Sequence, residues 1–245
     1  MMGFDGPIRA IIIGARGGIG AAFVRAIHGA QPGNVVWATS RTGSGAPPEA
    51  DRTVAVDITD EASIESLVNA ATSAGLEPNL VLNCTGVLHT AEYGPERSWR
   101  HLDLNTMRSV FEVNAFGVGL LGKHLIPILP RAGRTVFGSL SARVGSIGDN
   151  RLGGWHSYRA SKAAQNMLIK GLAIEASMRW KGLICVALHP GTVATALSDP
   201  FAARVPPEKL FTPDQSCAYL CSTIASLTPA ATGGFYAWDG QPIEY

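Results

Sequence analysis

Tyr158 and Lys162 stand one helical turn apart in a stretch whose pattern predicts a helix over 158–180. At that spacing a phenol and an ammonium share one face. Such a pair can give a proton to an oxygen and take one back. A free tyrosine keeps its proton to about pH 10. A positive charge beside it stabilises the phenolate and lowers that value. A donor nearer the working pH then serves both directions. A second cluster is Gly14-Ala15-Arg16-Gly17-Gly18-Ile19-Gly20. It follows a predicted first strand and opens a predicted helix. Glycines there let the chain turn tightly and approach a pyrophosphate, and the helix start offers free N–H groups and a favourable dipole. A structural turn would also explain a glycine cluster, but its place between strand and helix points to a phosphate cradle.

These residues need elements to hold them. Short β-branched runs predict strands over 8–13, 34–38, 53–56, 79–82, 134–140, 183–188 and 234–238. Helical patterns predict helices over 20–29, 61–74, 105–129, 158–180 and 214–226, with Asp60 placed to cap the second. Strands alternating with helices imply right-handed βαβ units and a parallel sheet. The strands are nearly all apolar, as expected when helices cover both faces. The expectation is one α/β domain over 1–245, of Rossmann type, doubly wound, with a mostly parallel seven-stranded sheet. The stretch 196–213 carries Pro200, Pro206, Pro207 and Pro213, and a long irregular loop in a compact domain reads as a lid.

Composition excludes several classes. The 245 residues are 46% hydrophobic and 16% charged, with a net charge of +1. That supports a large core and argues against disorder and against nucleic-acid binding. No apolar run is long enough for a bilayer, and the N-terminus lacks a signal-peptide layout, so a cytoplasmic protein is expected. Four cysteines in a chain this long make no disulfide framework. They read as buried thiols, and no metal site is expected.

In motif order and spacing the chain resembles the short-chain dehydrogenase/reductase family. The marks are the Gly-x-x-x-Gly-x-Gly loop, Asp57-Ile58, Asn83-Cys84-Thr85-Gly86, Asn114, the Tyr-x-x-x-Lys pair and Pro190-Gly191-Thr192-Val193-Ala194-Thr195. The segment 143–155 and the ending 233–240 look like its C-factor-like and sniffer-like carbonyl reductase branch. NAD-dependent members usually end the second strand in an acid. Here that end reads Ser40-Arg41, and a hydroxyl and a guanidinium suit a 2′-phosphate, with Arg16 as a second charge. The resemblance therefore implies NADP(H) rather than NAD(H). Arg41 could equally be a solvated surface residue.

The implied cofactor contacts are Gly14, Arg16, Gly18, Ile19, Gly20, Ser40, Arg41, Asp57, Ile58, Asn83, Gly86, Tyr158, Lys162, Pro190, Gly191, Val193 and Thr195. The implied catalytic set is Tyr158, Lys162, Asn114 and a serine. Cys84 and Thr85 depart from the family's Asn-Asn-Ala-Gly. The serine departs more. Matched on Gly145, the second of the family's paired serines falls on Ala142 and the first on Ser141. Ser141 also stands farther before Tyr158 than the family's serine, which implies a short insertion. Ser141 is the expected carbonyl-polarising hydroxyl, with Ser139 and Ser146 in reserve. The implied activity is hydride transfer between NADP(H) and a carbonyl or alcohol, with an apolar ketone, aldehyde or quinone as substrate. The alternative is an NADP(H)-binding sensor with little turnover, motivated by Ala142. Family members commonly pair as dimers or tetramers through their two long helices.

Overall fold

The computed structural model describes residues 2–203 and 205–245. Strands β1 (Arg9–Ile13), β2 (Val35–Ser40), β3 (Arg52–Ala55), β4 (Leu80–Asn83), β5 (Thr135–Leu140), β6 (Leu183–His189) and β9 (Phe235–Ala237) form one sheet. It has seven strands in the order β3-β2-β1-β4-β5-β6-β9, every pair parallel. Strands β7 (Thr192–Val193) and β8 (Leu210–Phe211) make a separate parallel pair. The helices are α1 (Gly18–His28), α2 (Glu61–Ser73), α3 (Leu104–Phe111), α4 (Gly117–Leu125), α5 (His156–Ala176), α6 (Asp199–Ala202) and α7 (Pro213–Ser226).

Side chains alternate across each strand, so the central strands feed two cores. Ile11 and Ile13 pack with Ile64 and Leu67 of α2, Leu121 of α4 and Ile169 of α5. Ala10 and Ile12 face the other way, against Phe23 and Ile27 of α1 and Leu220 and Ile224 of α7. This explains the near-continuous apolar strands. Successive strands move away from β1 on one side and from β4 on the other. A crevice therefore opens beyond the carboxyl ends of β1 and β4, where ligands bind in such sheets.

The predicted single helix over 105–129 is interrupted. Between α3 and α4 the chain makes a π turn at Glu112–Phe116, and α4 ends in a 3₁₀ turn at Ile126–Ile128. The cause is tertiary. The Asn114 side chain accepts from Val87 N–H at 2.9 Å and donates to Val87 C=O at 2.8 Å. That clamp re-aims one turn of helix, as π turns do at functional sites. The β7–β8 pair and α6 were also unforeseen, since two- and four-residue elements leave no periodic signal. Among the described residues no helix is long and apolar enough to cross a membrane.

Asp60 caps α2 as expected, accepting from Ala62 N–H at 3.1 Å. Asp60→Ala should cost about 1 kcal/mol, read as a lower urea midpoint. An unchanged midpoint would show that the cap contributes nothing.

Candidate active site

Two cavities open at the carboxyl ends of the strands. The first, about 830 Å³, is lined by Gly14, Arg16, Ser40, Arg41, Asp57, Ile58 and Gly86. The second, about 490 Å³, is lined by Ile19, Ser141, Tyr158, Pro190, Gly191, Val193 and Thr195. Between them lies Gly86, where a Cβ would sit 3.6 Å from Lys162 Nζ and 3.8 Å from Leu197 of the second cavity. Gly18, Gly20, Asn83, Asn114 and Lys162 line neither cavity. Each stands behind a wall, and each has a definable task there.

The glycine loop is a cradle that side chains would fill. Gly14 has φ +79°, open to glycine at little cost, and a Cβ there would meet Thr85 Cγ2 at 2.9 Å. A Cβ on Gly20 would lie 2.5 Å from the Gly14 carbonyl oxygen, and one on Gly18 3.0 Å from Pro213. Helix α1 starts after Gly17 without a side-chain cap and without an acid in its first turn. Its leading N–H groups are thus free for an anion. Arg16 and Arg41 are exposed, without an ion-pair partner among the described residues. These features fit a phosphorylated dinucleotide. Asp57 accepts from the Thr59 hydroxyl at 2.7 Å and the Thr59 N–H at 2.9 Å, which holds its carboxyl below the usual range, with Arg41 adding to the effect. Ser40 departs from expectation. Its hydroxyl donates to Ser44 C=O at 2.7 Å and accepts from Ser44 N–H at 3.0 Å, so it shapes the loop that carries Arg41.

Lys162 is buried on α5. Its Nζ donates to Leu140 C=O at 2.9 Å and to Gln165 Oε1 at 2.8 Å. Gln165 Nε2 donates to Ser139 Oγ at 3.0 Å, Asn83 Nδ2 donates to the same oxygen at 2.9 Å, and Asn83 Oδ1 accepts from the Thr85 hydroxyl at 2.7 Å. Asn114 makes a parallel tie, donating to Ser161 Oγ at 3.1 Å. Both ties stitch the Tyr158–Lys162 face of α5 to the loop after β4. Gln165 was missed from sequence, because a glutamine one turn beyond the lysine looks like any polar helix residue.

Tyr158 lines the second cavity, and Lys162 Nζ lies 5.9 Å from the Tyr158 ring centre. The protein without cofactor does not lower the tyrosine. Burial pushes the Tyr158 phenol above its ordinary value of 10.0 and pulls Lys162 from 10.5 down to about 7. Desolvation penalises both charged forms and outweighs their mutual attraction at this range.

Of the three serines considered, only Ser141 lines the Tyr158 cavity, beside Ala142. Ser139 is spent on Asn83 and Gln165, and Ser146 accepts from Asp149 N–H at 3.1 Å. His189 also stands on this cavity wall. Burial, then the nearby Arg143 charge, holds His189 down at about 4, so its imidazole is neutral at pH 7. Its signal was a histidine directly before Pro190-Gly191. Trp155 also lines the wall. It adopts φ +51°, costly for a tryptophan, pinned by its N–H to Glu96 C=O at 2.6 Å. Its ring packs on Tyr158 at 6.3 Å and on Phe201 at 5.0 Å. Phe201 belongs to the irregular stretch 196–213, in which Arg204 lies outside the described residues. That stretch is clamped at its base by β7 and β8. All four cysteines are free, but Cys84 is only half-buried and lines the first cavity.

Comparison with known proteins agrees with this geometry. The family model described as short chain dehydrogenase matches residues 9–205. The 1-hydroxy-2-glutathionyl-2-methyl-3-butene dehydrogenase of Rhodococcus sp. (strain AD45) is 32% identical over 96% of this chain and 98% of its own. Carbonyl reductase Sniffer of D. melanogaster has a similar fold, with TM-score 0.83 and 21% identity over 98% of this chain and 100% of that one. The NADPH-bound carbonyl reductase from chicken fatty liver reaches TM-score 0.82 and 25% identity over 98% of this chain and 100% of its own.

The depressed Lys162 has a thermodynamic consequence. Between about 7 and 10.5 the unfolded chain binds a proton that folded Lys162 does not, so this group makes stability rise with pH across that window. The slope is at most about 1.4 kcal/mol per pH unit. In cofactor-free protein, the urea midpoint of wild type should gain on that of Lys162→Met as pH rises across this range. Identical pH profiles for the two proteins would mean that folded Lys162 keeps an ordinary affinity for its proton.

Proposed function

The chain belongs to the short-chain dehydrogenase family, and on that footing we propose that it transfers hydride between NADP(H) and a carbonyl or alcohol substrate. One observation carries the reading: Tyr158 and Ser141 share a cavity, and Lys162 Nζ sits at the seam between it and the phosphate cradle. The nicotinamide, when bound, supplies or accepts the hydride at the substrate carbon. Tyr158 gives the carbonyl oxygen its proton as the alcohol forms, and takes it back in reverse. Ser141 polarises the oxygen. Lys162 uses two of its donor positions on Leu140 and Gln165 and has a third for the ribose hydroxyls. Positive charge arriving beside Tyr158 lowers its phenol toward the working pH, an effect that the protein alone does not produce. Asn114 holds the Val87 backbone and Ser161 in register with this face, and a water on it would extend a proton path from Lys162. A sensor without turnover would have no use for a buried ammonium beside a phenol.

NADP(H) is the preferred cofactor, because the end of β2 offers Arg41 where an acid would repel a 2′-phosphate. Arg16 stands on the same cavity wall. The chicken enzyme, by its description, binds NADPH. The substrate cavity is walled by Leu88, Val144, Leu152, Trp155, Leu197, Phe201 and Val205, which suits an apolar ketone, aldehyde or quinone. The same wall carries Arg143, Arg151 and Arg159, against Asp149 as the facing acid. This favours a second reading, an apolar carbonyl or alcohol with a carboxylate at the rim. The Rhodococcus relative is named for a glutathionyl alcohol.

We propose that 196–213 is the lid over this cavity. The exposed Leu104, Phe116, Met167, Ile174 and Met178 along α3, the π turn, α5 and the turn after it suit a second copy of the chain in a homodimer or homotetramer. Four free cysteines fit a reducing, cytoplasmic setting.

Tyr158→Phe should lower kcat at least about a hundredfold in NADPH oxidation with an aldehyde, ketone or quinone, with NADPH affinity unchanged. Undiminished turnover would overturn the assignment. Arg41→Ala should weaken NADPH binding about tenfold and leave NADH binding nearly unchanged, read by fluorescence titration. Equal losses for both would remove the basis for NADP(H) preference.

A further inference from the structure

Ser141 Oγ donates its proton to Asn166 Oδ1 at 2.7 Å. A hydroxyl so engaged has no proton left for a substrate carbonyl. Asn166 is itself almost wholly buried on α5, and its Nδ2 has no hydrogen-bond partner. A buried amide N–H without an acceptor is costly, and more so than a carbonyl oxygen without a donor. Turning the Asn166 amide by half a turn about its last side-chain bond answers both anomalies. Nδ2 then donates to Ser141 Oγ across the same distance, and the orphaned atom becomes an acceptor. The Ser141 proton is released toward the cavity that holds Tyr158.

We propose that Asn166 is a positioning residue that sets which way the Ser141 hydroxyl points, and that the active arrangement has Asn166 donating. This rests on the reading of Ser141 as the carbonyl-polarising group. It also explains how the site manages with alanine at 142: the donor is supplied by the neighbouring serine, and its direction by an amide from α5.

The test uses Ser141→Ala, Asn166→Asp, Asn166→Leu and the double Ser141→Ala/Asn166→Asp, with NADPH affinity read by fluorescence to confirm folding. Ser141→Ala should lose on the order of a hundredfold in kcat. Asn166→Asp keeps the shape but, when ionised, can only accept, so it captures the Ser141 proton and should lose as much. Asn166→Leu frees that proton and should lose less. The double variant should be no worse than Ser141→Ala alone. Activity of Asn166→Asp should recover relative to wild type as pH falls, because a protonated carboxyl can donate.

Full activity in Ser141→Ala would sink the serine reading itself. A loss there with wild-type turnover in Asn166→Asp would sink only the role of Asn166. Leucine as damaging as aspartate, with no recovery at low pH, would reduce Asn166 to packing and overturn the proposal. Should Asn166→Asp fail to bind NADPH, the amide spectrum of ¹⁵N-asparagine-labelled wild-type protein decides. The side-chain pair missing from Asn166→Leu must shift in Ser141→Ala, and an unmoved pair contradicts the proposal.

Discussion

A phenol and an ammonium buried one turn apart on a single helix set the terms for the rest of this molecule. Apolar surroundings disfavour both charged forms, so Tyr158 holds its proton and Lys162 tends to shed its own. Such a pair is a liability in a folded chain unless something holds it in place. The structure meets that need with hydrogen bonds drawn from distant sequence. Leu140 and Gln165 take up the lysine, Ser139 accepts from Gln165 and from Asn83, and Asn114 locks the neighbouring turn to Val87. Apart from Gln165 on α5 itself and Val87 in the loop after β4, these partners lie at the carboxyl end of a strand or on the π turn facing it, so the sheet topology and the site share one set of contacts.

The entry to α5 serves the same end. The helix has no local side-chain cap. Instead the buried Glu96 carboxylate accepts from the Ser157 N–H and hydroxyl, and Glu96 C=O receives the Trp155 N–H. Held in this way, Trp155 sits in a left-handed conformation between Tyr158 and Phe201. Strain of that kind persists only where surrounding contacts over-determine it. Here it places an aromatic wall beside Tyr158.

Much of this was legible in the sequence. All seven main strands, the two helix layers and the cradle follow from apolar runs, period and glycine placement, because those signals are local. The tyrosine and lysine were legible because helical spacing fixes which side chains share a face. What escaped depends on contacts between distant residues. The π turn at Asn114 comes from Val87, the burial that raises Tyr158 comes from the elements packed around it, and the loss of Ser40's free hydroxyl comes from a turn back to Ser44. Gln165, His189 and Trp155 carry no spacing rule, so only their position against the cavity shows their part. Ser141 could be favoured over Ser139 and Ser146, but its engagement with Asn166 could not be foreseen.

The central claim is electrostatic: the protein alone keeps Tyr158 protonated, and cofactor charge brings the phenol into range. A titration of phenolate absorbance, taken as wild type minus Tyr158→Phe and run with and without NADP⁺, tests it directly. The account predicts a phenol that ionises well above 10.0 in the free protein and moves down toward neutrality when NADP⁺ binds. A phenol that titrates at its ordinary value and ignores NADP⁺ would contradict it.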